Sequence, residues 1–316
     1  MSEREIRLPG GTYTARPYRE GDEACVLELW RTAFGRELEP AVWRWKYADN
    51  PFGQRILLCC DASGAAVVMY SGAPYRAVWK GRRVEIVQLM DIMSHPEVRK
   101  TGLFIKAAEV FFELFAGGDS VLYYGIPGRY HFDIGAKYLA YSGLASGVAC
   151  LEAATAGLAA APARAPGAAA ELTQPGRELD RAWARLAEHY PLAAVRDAAF
   201  VDWRFCRHPT RRYRLWAWRS GFPRRLQAFA AIGLGGARRL PVLEVLSERP
   251  QTGLARRDLP ALRLGDVAGR TRHPGRHPRR SCASLRTFGL ARPPDTGTHL
   301  PSLAGDQKRN RAKYAE

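Results

Sequence analysis

Between Arg82 and Phe115 the apolar spacing changes from strand-like to helical across one short basic turn, and that junction limits the possible folds more than any other feature. A long strand over Arg82–Met93 runs into Ser94-His95-Pro96-Glu97-Val98-Arg99-Lys100-Thr101-Gly102. From Gly102 to Phe115, Leu103, Phe104, Ala107, Val110, Phe111, Leu114 and Phe115 then fall on one side of a helix. The first turn of such a helix has unpaired amides and partial positive charge, which suits a phosphate group. Arg99 and Lys100 add charge, and Gly102 keeps a side chain out of the way. His95, beside Pro96, reads as a turn residue.

The elements around this junction predict a mixed α/β unit. A first strand is expected over Thr12–Tyr18, and a helix over Ala24–Phe34 with Asp22 as its N-cap. A short helix over Pro40–Tyr47 is stopped by Asn50-Pro51. Strands follow at Arg55–Cys60, Ala65–Tyr70 and Pro74–Lys80, with turns at Asp61-Ala62-Ser63-Gly64 and Gly81. Beyond the helix ended by Gly117-Gly118, a strand at Ser120–Ile126, a helix at Tyr130–Tyr138 and a last strand at Leu144–Leu151 close the unit.

The start of the chain is charged and lacks the apolar stretch of a signal peptide, and no apolar run approaches the ~20 residues of a membrane span. A cytoplasmic protein without membrane attachment is expected. Six cysteines are scattered without metal-site spacing, so neither a disulfide framework nor a bound metal is expected. The net charge is +17, but residues 247–316 carry fifteen Lys/Arg against six Asp/Glu and hold over half of the excess. That stretch has few aromatics to stack on bases, so the charge is read as a solvated or aberrant tail and not as a nucleic-acid site.

These features divide the chain at residues 151, 176 and 247. Residues 1–151 form the first unit, 152–176 an Ala/Pro-rich linker, 177–247 a partial second unit, and 248–316 a basic tail without periodicity. The second unit is expected to hold a helix over Arg177–His189 and strands near Tyr213–Trp216, Arg225–Ile232 and Pro241–Leu246. It also echoes the first. Trp45-Lys46-Tyr47-Ala48-Asp49-Asn50-Pro51 and Trp203-Arg204-Phe205-Cys206-Arg207-His208-Pro209 share aromatic, base, aromatic, two variable positions, polar residue and proline, which favours duplication of one α/β unit.

Residues 12–150 resemble the GNAT family of N-acetyltransferases. Arg99-Lys100-Thr101-Gly102, with Pro96 ahead of it, resembles the start of the family's [QR]-x-x-G-x-[GA] motif, and Gly125-Ile126-Pro127 its following strand end. Phe104 departs from the motif's last small residue. The resemblance implies a mixed, mostly antiparallel sheet flanked by helices, with a second, degenerate GNAT-like repeat after it. It implies acetyl-CoA as cosubstrate, without a metal. The backbone of Ile92, Met93 and Ser94 would pair with the pantetheine arm, and the amides of Arg99, Lys100, Thr101, Gly102, Leu103 and Phe104 would hold the pyrophosphate. A small-molecule or protein amine would attack the thioester directly, through a tetrahedral intermediate. The family's tyrosine acid falls here on Ala136, so Tyr138, Tyr130, His131 and Tyr124 are the available substitutes. Asp91 and Glu85 are expected on one face of the central strand, with Asp91 nearer the thioester and preferred as base. A non-catalytic CoA- or ligand-binding module is the alternative.

Overall fold

The computed structural model describes residues 3–143, 150–154, 167–234, 239–247 and 282–286, and for 150–154, 239–247 and 282–286 the backbone alone. Two sheets organise it. The first has β1 (Arg4–Leu8), β2 (Gly11–Pro17), β3 (Arg55–Cys60), β4 (Ala66–Trp79), β5 (Arg82–Leu89) and β7 (Ser120–Tyr124) in spatial order, with β6 (Met93–Ser94) and β10 (Leu192–Ala194) also on β4. All its pairs are antiparallel except β5 with β7. Helices α1 (Glu23–Phe34) and α2 (Pro40–Lys46) pack with Ile56, Leu58 and Met69, whereas α3 (Leu103–Phe115) packs with Leu57, Val68 and Tyr70. Helix α4 (Arg129–Tyr138) follows β7.

The second sheet runs β8 (Cys150–Ala154), β14 (Cys282–Arg286), β13 (Arg239–Ser247), β12 (Arg225–Leu234), β11 (Arg212–Ser220), β9 (Ala168–Glu171). Helix α5 (Arg177–Ala187), short helix α6 (Ala198–Val201) and a π-helical turn at Asp202–Cys206 bury Leu179, Trp183, Phe200 and Trp203 with Leu215 and Phe229.

Several expectations change. Ala65–Tyr70 and Pro74–Lys80 are one strand, β4. Its ladder with β3 ends at Gly72 and that with β10 starts at Ala77, so Pro74 stands in the gap where one side of the strand has no ladder to complete. The long strand over Arg82–Met93 is interrupted at Met90–Ile92, where Asp91 adopts φ 54°. Asp91 and Glu85 consequently do not share a face: Glu85 is held by Arg55 and Ser120, Asp91 by Lys46 and Tyr47. Asp22 precedes α1 but does not cap it, because its carboxylate is taken by both Arg16 Nη atoms at 2.6 and 2.8 Å and by the Arg19 amide. The strand placed at Leu144–Leu151 falls partly outside the described residues, and its described end belongs to β8, in the second sheet. Within the tail expected to lack regular structure, Cys282–Arg286 pairs with both β13 and β8; the rest of residues 248–316 lies outside the described residues. No helix among the described residues is long and apolar enough to cross a membrane.

Candidate active site

The site is built where β5 and β7 part company. They pair over Glu85–Gln88 and Ser120–Tyr124. At the next position Gly125 lies so close to Leu89 that a Cβ there would stand 3.2 Å from the Leu89 carbonyl oxygen. Beyond it β7 leaves toward α4, while β6 continues on β4 through Val68↔Ser94 and Met69↔Met93. The other edge of Met93–Ser94 carries no strand among the described residues. A wedge with one open strand edge results.

The turn from β6 to α3 is more ordered than sequence reasoning could tell. His95 Nδ1 accepts from the Glu97 amide at 3.4 Å and caps the 3-10 turn Pro96–Val98, so His95 is a turn residue. Lys100 and Gly102 both take positive φ, 67° and 89°. The amides of Arg99 and Thr101 bond within the turn to Pro96 and Val98, and that of Leu103 to Thr101 Oγ1. The amides of Lys100, Gly102 and Phe104 bond to nothing among the described residues. Alternate amides are thus left over, as in a backbone nest that binds an anion. A Cβ on Gly102 would meet open space. Arg99 is committed elsewhere: its guanidinium donates to the carbonyls of Ser94 and, at 3.1 Å, Ala33. Lys100 has no side-chain partner among the described residues.

The proton-handling candidates are not brought together. Asp91, with its side chain 13% exposed, accepts from Lys46 Nζ at 2.5 Å and from the Tyr47 hydroxyl at 2.8 Å. Tyr47 is fully buried, and burial followed by the Asp91 charge holds its phenol well above the ordinary range. His131, on α4, stands edge-on to Phe104 at 5.3 Å and beside Tyr141 at 5.9 Å. Burial lowers its pKa, and its enclosed Nε2 has no hydrogen-bond partner among the described residues. Tyr138 is 55% exposed at the far end of α4, under Lys137. Tyr141 is not among the proton-handling candidates read from the sequence; its ring packs on Gly135 and its hydroxyl meets that of Tyr70. The ring that departs from the family's small residue, Phe104, is therefore part of an aromatic bridge from α3 to α4.

Residues 14–135 match the family model described as Acetyltransferase (GNAT) domain. The fold is that of GNAT proteins. A GCN5-related N-acetyltransferase from Kribbella flavida superposes with a TM-score of 0.61 at 14% identity, covering 91% of this chain and 66% of that one. One from Anabaena variabilis gives 0.62 at 10% identity, covering 86% and 65%. A GCN5-related glucosamine N-acetyltransferase region of a fungal multi-domain GH3 β-N-acetylglucosaminidase gives 0.59 at 14% identity, covering 89% and 36%. The chain thus spans less than two thirds of the length of each of these structures. No curated protein matches it. A separate depression of about 750 Å³, lined by Glu171, Phe205, His208 and Tyr213 among others, lies on the second unit and shares no residue with the GNAT turn.

Proposed function

We propose that this chain moves an acetyl group from acetyl-CoA to a primary amine by direct attack. The observation that carries this reading is the combination of the open edge at Met93–Ser94 with the turn that leaves the Lys100, Gly102 and Phe104 amides unused. An open edge can take a pantetheine arm by backbone pairing, and the turn can take the pyrophosphate on N–H donors and the nearby Lys100 charge. Acetyl-CoA, when bound, supplies an activated thioester; the protein has to align the amine and take its proton. Ile92, Met93, Ser94, Lys100, Thr101, Gly102, Leu103 and Phe104 are the residues assigned to the CoA side, with Thr101 and Leu103 acting by shaping the turn and Arg99 by tying it to α1.

Asp91 keeps a role in this proposal, but as the residue that fixes the strand break. Its carboxylate is already engaged by two donors, Lys46 Nζ and the Tyr47 hydroxyl. His131 and Tyr138 remain the candidates on α4 for proton transfer, His131 kept neutral by burial.

We further infer that the second unit is a degenerate copy of the first. In support, β9, α5, the π-helical turn, β11, β12, β13 and β14 follow one another as β2, α1, α2, β3, β4, β5 and β7 do. The pairings agree too, including a parallel β13–β14 pair matching β5–β7. The copy would shape the acceptor side.

A second reading, a CoA- or ligand-binding module without catalysis, is favoured by Ala136, which stands exposed where the family carries its acid. Calorimetry with acetyl-CoA and thiol release with a panel of amines separate the two. Binding with release supports transfer; binding without release for any amine supports the module; no binding sinks both.

A further inference from the structure

The depression on the second unit has no part in acetyl transfer, and its walls have a chemistry of their own. Its volume of about 750 Å³ is that of a small-molecule site. It lies where the end of β9 meets the start of β11, joined by the Leu172 amide on the Leu215 carbonyl at 2.8 Å. One wall is the loop that leads from the π-helical turn into β11. His208 orders that loop, its Nδ1 accepting from the Thr210 and Arg211 amides at 3.3 and 3.2 Å. A neutral imidazole that accepts on Nδ1 carries its proton on Nε2, which is therefore a donor. That Nε2 meets no partner among the described residues and is not sealed from solvent.

The lining is one-sided in charge. Arg211 and Arg212 line the depression, are exposed, and meet no carboxylate among the described residues. The acidic residue described in the lining, Glu171, already accepts from both Nε and Nη2 of Arg214. Asp202, the acid that acts on neighbouring Cys206, is paired with Arg207 at 2.6 Å. Five arginines lie between residues 204 and 214, and no acid does. Their field reaches the depression: burial, then Arg204 and Arg211, lower His208 to about 4, so its ring is neutral at physiological pH. Thr173 and Thr210 add hydroxyls, and Tyr213, T-shaped to Phe205 and His208 at 5.2 and 5.8 Å, adds an aromatic surface.

We propose that this depression binds a phosphorylated small molecule, its phosphate held by Arg211, Arg212 and the His208 Nε2–H. Two guanidiniums beside neutral donors match the several oxygens and double charge of a phosphate, and the volume and aromatic surface leave room for an organic part. The site does not rest on the acetyl-transfer reading, because it shares no residue with the turn at Gly102.

The test uses the full chain, with pyrophosphate and ADP as probes. Binding is followed by calorimetry and by NMR titration of the His208 ring, whose signal is assigned by its loss in His208→Gln. The turn at Gly102 can also take a pyrophosphate, so calorimetry is repeated on Gly102→Glu, where the binding that is left belongs to the second unit. The expected result is binding of at least one probe that survives Gly102→Glu and weakens at least tenfold in the double variant Arg211→Gln/Arg212→Gln. Both arginines are exposed, so the double variant keeps the fold. A bound anion stabilises the imidazolium, so the saturating probe should raise His208 from about 4 toward the ordinary value of about 6.5, and should not do so in the double variant. An unmoved His208 signal, or binding that survives the double variant, overturns the proposal. Binding of a single-stranded oligonucleotide but of neither small anion makes this face a nucleic-acid surface and overturns it too. Thiol release without this binding refutes the depression and keeps acetyl transfer; this binding in a protein that releases no thiol does the reverse.

Discussion

Trp45 and Trp203, 158 residues apart, each donate the indole N–H to the other's backbone carbonyl, at 2.7 and 2.8 Å, with their rings stacked 5.3 Å apart. Both are buried. The exchange is reciprocal. It also joins the halves at α2, the same helix whose Lys46 and next residue Tyr47 hold Asp91 at the strand break.

Replacing either tryptophan by phenylalanine keeps most of the ring contact and leaves a buried carbonyl without its donor. Each of Trp45→Phe and Trp203→Phe should cost about 1–3 kcal/mol in urea unfolding. The double variant should lose less than the sum by about 1 kcal/mol, because the two bonds share one pair of residues. Strict additivity would mean that the two bonds form independently.

Gly102→Glu should remove measurable acetyl-CoA binding in calorimetry, since a carboxylate would enter the space that the unused amides face. The φ of 89° adds about 1–2 kcal/mol of strain for any side chain there, so Gly102→Ala serves as the control, folded and with a milder loss. Unchanged affinity in Gly102→Glu would remove the turn from the CoA site.

Asp91→Asn tests positioning against proton transfer. If the carboxylate fixes the break between β5 and β6, turnover falls roughly tenfold, equivalent to about 1.4 kcal/mol, and the KM for acetyl-CoA rises, while the acidic limb of the pH–rate profile keeps its midpoint. Loss of that limb would make Asp91 the base after all.

His208 gives a pH dependence of stability. Its ring lies 4.2 Å from that of Trp45, Nδ1 accepts from the Thr210 and Arg211 amides, and burial, then Arg204 and Arg211, lower its pKa to about 4. Unfolded histidine titrates at about 6.5 and so binds a proton before the folded form does. The stability due to this group is therefore complete above about pH 6.5 and is lost as pH falls toward 4. His208→Gln should flatten that decline in thermal unfolding between those values; an unchanged slope would assign it to other groups.

The parts legible from sequence were those with a repeating signal. Helix α3 follows from the period of its apolar residues and Gly102, and α2 from Pro40 and its tryptophans. The wedge carries no repeating signal, because it depends on where β5 and β7 part beyond their last pair. Lys100 and Asp91 take positive φ, which non-glycine residues seldom do, so neither the alternating amides nor the strand break could be read from residue type. Strand β10 has three residues, too few for any period, and its place on β4 depends on partners more than 110 residues away. The tryptophan echo was visible, but nothing in it says that Trp45 and Trp203 bond to each other.

The two halves also trade strands. β10, from the second half, completes β4 of the first sheet, while β8, which follows the first unit in the chain, closes the second sheet against β14. Neither half contains all of its own hydrogen-bonded ladder. A gene cut near residue 160 would give two fragments, each missing an edge that the other carries, and each left with a bare strand to recruit a neighbour. The molecule should accordingly melt in a single calorimetric transition, and the halves should recover their structure when expressed together but not apart.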